Sequence, residues 1–298
     1  MKKEVFHFLF FLFTLSLVSF SLASFRIKDR AYLHADSGVS KEYLKEMENE
    51  KPSFLTSYSQ FVLGIFRFQL GNSQSGENIL NHIGTRLVPT LQLALFSVLI
   101  GSFTGILAGI TSLYFRSELF HSLLLSLAGF ILSTPIFVVA ILLLLLFFLY
   151  WELLPPGGYV AGDLSYLILP GLALGSRIFA RLFFFTYAEG KKEEDTYYIL
   201  FLKSRGFSRF TILYKHLLLK IFPVLLIFIF LDFSSLLSGA IIVEEIFLFP
   251  GIGKSLYYSI QSMDEALLRA LLFYCGLIFY SFTRLSRFIQ ERIIKVNA

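Results

Sequence analysis

The side chains with chemical potential in this sequence are few, and their spacing does not build a catalytic site. Glu244 and Glu245 are paired carboxylates, but adjacency along a chain does not set an acid and a base on either side of a reacting bond. Gly253-Lys254-Ser255 invites a phosphate-loop reading, yet that loop requires another glycine five positions before Gly253, where Leu248 stands. Neither a His-Glu-x-x-His zinc pattern nor a Gly-x-Ser-x-Gly elbow occurs. Cys275 is the only cysteine, which excludes an intrachain disulfide and a cysteine metal cluster, and its apolar surroundings read as those of a buried thiol. The expectation is a chain with no catalytic or nucleotide site, no metal and no cofactor of its own.

Two other groups of residues carry structural information. Asp232 lies in an apolar run, and an ionisable group at bilayer depth costs about 2.5–3.5 kcal/mol on insertion scales, so it must face protein or water. Ser234, Ser235 and Ser238 follow it, which leaves two readings open: a residue lining a pathway, or one polar face sealed against neighbouring helices. Gly101, Gly105 and Gly109 recur at four-residue spacing, placing three absent side chains on one helix face where a second helix can approach closely.

The elements that must position these residues are membrane helices. Of 298 residues, 56% are hydrophobic and only 16% charged, which makes lipid the solvent for much of the surface. Every backbone polar group must be bonded internally in hydrocarbon, so long apolar runs become helices of about 20 residues. About six such spans are expected: Val5 to Ala23, Val88 to Tyr114, Leu119 to Tyr150, Leu164 to Leu182, Phe222 to Val243 and Ala266 to Phe282. This divides the chain into a first helix with its following loop, residues 1–87, and a core of five helices, residues 88–298. The first span, preceded by Lys2 and Lys3 and ending in Ser-Leu-Ala before Ser24, also resembles a cleavable signal peptide; its near-spanning length favours retention. The third run is too long for one upright crossing, and Pro135 within it removes a backbone donor, so a bend is expected at Ser133–Pro135. Tyr150 and Trp151 should then mark the membrane interface.

Charge sets the orientation. The net charge of +5 does not point to nucleic acid, because the basic residues fall between apolar runs and form no aromatic-interleaved patch. Arg116, the cluster Lys191, Lys192, Lys203, Arg205, Arg209, Lys215 and Lys220, and the terminal Arg284, Arg287, Arg292 and Lys295 mark three cytoplasmic regions. The connections from Trp151 to Asp163 and from Glu244 to Glu265 are nearly free of basic residues and should be external. The connection near 190–220 intersperses Tyr198, Leu202, Ile212, Leu213 and Leu217 with basic residues. Short amphipathic helices against a partner and a solvated basic loop on lipid headgroups are both compatible with that pattern.

Several segments, in order along the chain, resemble permeases of the oligopeptide, dipeptide and nickel family of ATP-driven (ABC) importers. The likeness begins at Gly71–Leu95, GNSQSGENILNHIGTRLVPTLQLAL, and continues through Ser133-Thr134-Pro135-Ile136-Phe137, Leu154-Pro155-Pro156-Gly157-Gly158-Tyr159 and Leu169-Pro170. Its most specific parts are Arg205-Gly206 with His216 ten residues after the glycine, and Glu244, Phe247, Pro250, Gly251 and Gly253 at the spacing Glu-x-x-Phe-x-x-Pro-Gly-x-Gly. Asp264 stands where the family often has an acidic residue before the last span. The sequence departs from the pattern at Leu202 and Ser204, where alanines are usual, and lacks the Gly-Asp-Pro and Asp-Pro-Arg motifs.

The resemblance implies an all-α type I importer permease in the bacterial inner membrane, forming a path for peptides or similar small solutes. It would work with a second permease subunit, two cytoplasmic ATPases and an external solute-binding protein. The Arg205–His216 segment would couple to an ATPase, with Arg205 and Arg209 flanking the turn to meet acidic groups or helix ends there. The Glu244–Gly253 segment would form an external turn beside the path. The rival reading is a secondary transporter driven by an ion gradient, with Asp232 as its ion site.

The orientation is testable. In a Cys275→Ser background, a cysteine at Ser208 should stay unreactive toward a membrane-impermeant thiol reagent in intact cells and react after the cells are opened.

Overall fold

Apolar runs of this length satisfy their backbone in hydrocarbon by coiling into helices, and the computed structural model is a helical bundle. It describes residues 2–27, 53–115 and 117–297. Arg116 and residues 28–52 of the charged first loop lie outside the described residues.

In chain order the helices are α1 (Lys2–Ile27), α2 (Phe54–Arg67), α3 (Ile79–Phe115), α4 (Glu118–Ser133), α5 (Ile136–Tyr150), α6 (Ser165–Glu194), α7 (Tyr197–Ser204), α8 (Arg209–Leu237), α9 (Ile241–Ile246), α10 (Ile252–Gln261) and α11 (Glu265–Asn297). Parts of α1, α3, α6, α8 and α11 are long and apolar enough to cross a membrane, and the bent pair α4–α5 makes a sixth crossing if counted as one. The bend expected at Pro135 is present: α4 and α5 meet at 107° across Thr134 and Pro135. Two helices contain a π-helical turn, Leu145–Tyr150 at the end of α5 and Ile212–Leu217 near the start of α8.

Several helix ends differ from the expectation. The second span begins at Ile79 rather than Val88, so α3 runs through residue 87 and the boundary expected there falls inside a helix. The fifth ends at Leu237 rather than Val243. Gly239 turns the chain with φ +105°, and Val243 belongs to the separate short helix α9. Helices α6 and α11 extend well past Leu182 and Phe282.

The most extensive helix contact is between α3 and α6, and the glycine stripe explains it. A methyl on Gly101 would lie 2.5 Å from the Gly175 carbonyl, one on Gly105 2.6 Å from that of Phe179, and one on Gly109 2.7 Å from Thr186 Cβ. The two backbones touch along three turns, as small residues allow between membrane helices. Around this axis α8 packs on α6 and on α11, and α1 lies on α11 with Leu15 against Gly276 and the rings of Phe11 and Tyr280 stacked at 4.0 Å. Of the serines after Asp232, two belong to the α8–α11 seam, where Ser234 donates to the Phe279 carbonyl (3.3 Å) and Ser238 to that of Cys275 (3.2 Å), while Ser235 is exposed.

Replacing Gly105 by leucine should therefore destabilise the detergent-solubilised protein by about 1–3 kcal/mol or more through overpacking. Gly129→Ala, at a helical site with no atom of the described residues within 4 Å of the added carbon, should leave the thermal unfolding midpoint no lower, because alanine is the better helix former.

Candidate functional site

The segments read as functional gather at the two ends of the bundle. At one end the connection between α5 and α6 packs against the segment that follows α8. The Gly158 N–H donates to the Phe247 carbonyl (2.7 Å), and a methyl on Gly157 would meet that oxygen at 2.1 Å. The turn before α3 joins the same end, with the Gln74 N–H donating to Asp264 Oδ2 (2.7 Å). Asp264 Oδ1 also accepts from the Leu267 N–H (3.0 Å), capping α11. Exposed Asp163 accepts from the hydroxyl and the amide of Ser165, which hold its carboxyl below the ordinary range.

The Glu244–Gly253 motif is more structured than a turn. Glu244 lies within α9, Phe247 to Gly251 form the connection, and Gly253 is in the first turn of α10. Glu244 is fully buried. Its Oε2 accepts from the Lys254 N–H (2.8 Å), and its Oε1 accepts from the Ala240 N–H and the Thr90 hydroxyl (both 3.4 Å). Thr90 Oγ1 in turn accepts from the Ile252 N–H (2.9 Å). A carboxylate from α9 and a hydroxyl from α3 thus satisfy amides that α10 leaves free at its N-terminus, the end where negative charge is favoured. This explains the glycines. A methyl on Gly251 would lie 2.4 Å from the Glu244 carboxylate, and one on Gly253 2.7 Å from the Ile241 nitrogen. Phe247 is buried with Leu93, Leu169 and Phe249.

At the opposite end, α7 leads through Gly206 into α8. The Phe207 N–H donates to the Leu202 carbonyl (3.3 Å) and the Gly206 N–H to that of Lys203 (3.1 Å), a Schellman cap with Gly206 at φ +81°. No atom of the described residues lies within 4 Å of a methyl at Gly206, so glycine is required there by backbone conformation and not by space. Ser208 then caps α8 by accepting from the Thr211 N–H (3.2 Å). Helix α7 is amphipathic: Ile199 and Leu202 are buried with Ile212, Leu213 and Leu217, while Tyr197 (91% exposed), Leu200 and Phe201 point away from the bundle beside exposed Phe207 and Phe210.

The basic residues there divide. Arg205 is exposed, its guanidinium 5.6 Å from the centre of the Phe201 ring. Arg209, expected to reach outward with it, turns inward: it donates to the Leu113 carbonyl (2.6 Å) and to Glu194 Oε1 (3.3 Å), tying together the ends of α3 and α6 and the start of α8. His216 Nδ1 lies 3.1 Å from the Tyr198 hydroxyl, which fastens α7 to α8. Glu193 and Lys220 form a further ion pair.

Between the two ends, Asp232 is buried and paired with Arg181 of α6. Arg177, one turn earlier, donates to the carbonyls of Leu132 (3.2 Å) and Thr134 (3.5 Å) at the α4–α5 bend. Neither arginine was singled out in the sequence. The available signal was two cations four residues apart inside an apolar span. Among the described residues, no group of three or more His, Cys, Asp or Glu side chains is placed to hold a metal ion.

The chain is thus a helical membrane bundle with an amphipathic helix–glycine turn at one end and a capped, glycine-rich turn at the other. The sequence model for the binding-protein-dependent transport system inner membrane component matches residues 101–295, and the chain belongs to that family. It is 28% identical to a provisionally named peptide transport system permease protein of Brucella abortus, over 89% of this chain and 87% of that one. It is 26% identical to the metal-staphylopine import system permease protein of Staphylococcus aureus (87% and 84%) and 27% identical to a glutathione transport system permease protein of Escherichia coli (79% and 76%). This chain is accordingly a multi-pass ABC importer permease of the bacterial inner membrane, with ATPase and substrate-binding partners. That membership decides against the secondary-transporter reading.

The capping geometry generates a prediction. Glu244→Gln should lower stability by about 1–3 kcal/mol, because one amide N–H would lose its acceptor in a buried site. Glu245→Gln, half-exposed with Lys254 4.0 Å away, should cost under about 1 kcal/mol. Thermal unfolding in detergent would measure both.

Proposed function

We propose that this chain and a second permease subunit enclose a path for peptides or similar small solutes, driven by two cytoplasmic ATPases and supplied by an external solute-binding protein. The names of the relatives support the peptide class: two of those three are named for peptide or glutathione transport. The observation that carries the coupling is the aromatic face of α7 and the Gly206 turn. Tyr197, Leu200, Phe201, Phe207 and Phe210 stand exposed at the end of the bundle where Arg209 ties three spans together. An apolar patch of this kind marks a docking surface for a partner.

In this reading an ATPase grips that face. Closure of the ATPases on ATP moves α7 and the Gly206 turn, and the tied ends of α3, α6 and α8 move with them. The differential contact of the ATPase with the two states supplies the free energy of switching. At the other end, the Glu244-capped turn closes the path externally. Arg209 serves as an internal brace, so shape outweighs surface charge at the docking face, where an exposed ion pair contributes only about 0–1 kcal/mol.

Gly206 provides the test. In the reconstituted complex, Gly206→Val should abolish substrate-stimulated ATP hydrolysis and uptake, because a β-branched residue is a steric outlier at positive φ. Gly206→Asn, which tolerates that conformation, should retain most of both. Full stimulated hydrolysis and uptake by Gly206→Val would refute the coupling assignment.

A further inference from the structure

The Arg181–Asp232 pair lies on the seam between α6 and α8, one turn from the stacked rings of Phe185 and Phe228, whose centres are 3.8 Å apart. Arg181 sits near the middle of a helix long and apolar enough to span the membrane. Its side chain is 43% exposed, whereas that of Asp232 is 8% exposed. A guanidinium exposed at that depth cannot rest against hydrocarbon; such groups face a bundle interior or a water-filled cavity.

Two further observations place polar surroundings at the same level. Among the described residues Asp232 Oδ2 is buried and has no hydrogen-bond partner, and buried polar atoms of this kind are normally satisfied by protein or by an ordered water. One turn along α6, Arg177 is committed to the carbonyls freed where α4 and α5 bend, and broken helices are tolerated at membrane depth only where protein or water covers them. Arg177 is held by backbone. Arg181 is held through Nη1 by a single carboxylate oxygen, and the remaining edge of its planar fork suits a second carboxylate.

We infer that Arg181 lines the aqueous path and is a specificity-determining contact for the carboxylate of a passing peptide, with Asp232 as the residue that positions it. The inference rests on the peptide reading given above. A lone arginine would hold an anion tightly. Asp232, competing for the same guanidinium, keeps the site neutral and lets the cargo leave, as a conducting site requires.

The test uses the full complex with its partners and two probes, a dipeptide with a free C-terminus and the same dipeptide as its C-terminal amide. Arg181→Gln should lower uptake of the free acid by about tenfold or more, the usual scale for one charge-assisted contact, and change uptake of the amide less than about twofold. Because Arg181→Gln leaves Asp232 without its counter-ion, the double variant Arg181→Gln/Asp232→Asn keeps the comparison informative if the single variant folds poorly; it should show the same loss of preference. A cysteine at position 181 in the Cys275→Ser background should react with a water-soluble thiol reagent and be protected by the free acid. Equal loss for both probes, or no reaction of the cysteine in any nucleotide state, overturns the inference while leaving the peptide reading intact. Uptake of neither probe by the unaltered complex refutes the peptide reading itself.

Discussion

Hydrocarbon offers the backbone no hydrogen bond, and three interruptions of the helices show how the freed groups are satisfied. Where α4 stops at the Pro135 bend, Arg177 supplies donors to two of the freed carbonyls. Where α10 starts, Glu244 and Thr90 supply acceptors to two of the freed amides. The Gly206 turn closes on its own carbonyls through the Schellman bonds. Arg177, Thr90 and Glu244, which look misplaced in an apolar sequence, are thus capping groups of its breaks. This gives them a structural role before any part in transport is considered.

The same constraint orders the packing. With no hydrophobic drive between helices in lipid, close backbone approach has to supply cohesion, and the α3–α6 contact supplies it along Gly101, Gly105 and Gly109. That seam fixes α6 as the central helix, since α4, α5 and α8 all pack on it as well. The Glu244 and Arg209 sites are then attached to opposite ends of one axis: Thr90 of α3 reaches the Glu244 site, and the Leu113 carbonyl at its other end receives Arg209. One continuous helix therefore contacts both the proposed gate and the proposed coupling region.

Much of this was legible in the sequence where the signal is local. Pro135 announced the bend, the glycine spacing announced a close helix contact, and Gly206 announced a residue at positive φ. What could not be read was the identity of partners distant along the chain. The motif Glu-x-x-Phe-x-x-Pro-Gly-x-Gly was visible, but the burial of Glu244 beneath Gly251 depends on how α9 folds back on α10. The end of α8 at Leu237 escaped notice because the run stays apolar through Val243; the break is set by Gly239, whose added methyl would strike Gly253 at 2.6 Å. Arg209 looked like a surface cation because its acceptors, Leu113 and Glu194, belong to other helices. Asp232 left its role open because its counter-ion lies 51 positions away.

The π-helical turn at Ile212–Leu217 carries one further implication. A single π turn holds roughly one residue more than an α turn, and one residue of α-helix corresponds to about 100° of rotation. Helix α8 is therefore two screws of equal pitch set out of phase. The angular position of Arg209 and Phe210 relative to Asp232 is offset from what an unbroken helix of the same sequence would give. That phase offset lets one helix aim Arg209 at the end of α3 and Asp232 at the middle of α6. A deletion of one residue within 212–217 would turn the π turn into an α turn and keep both faces on their partners, whereas a deletion elsewhere in α8 would rotate one of them away.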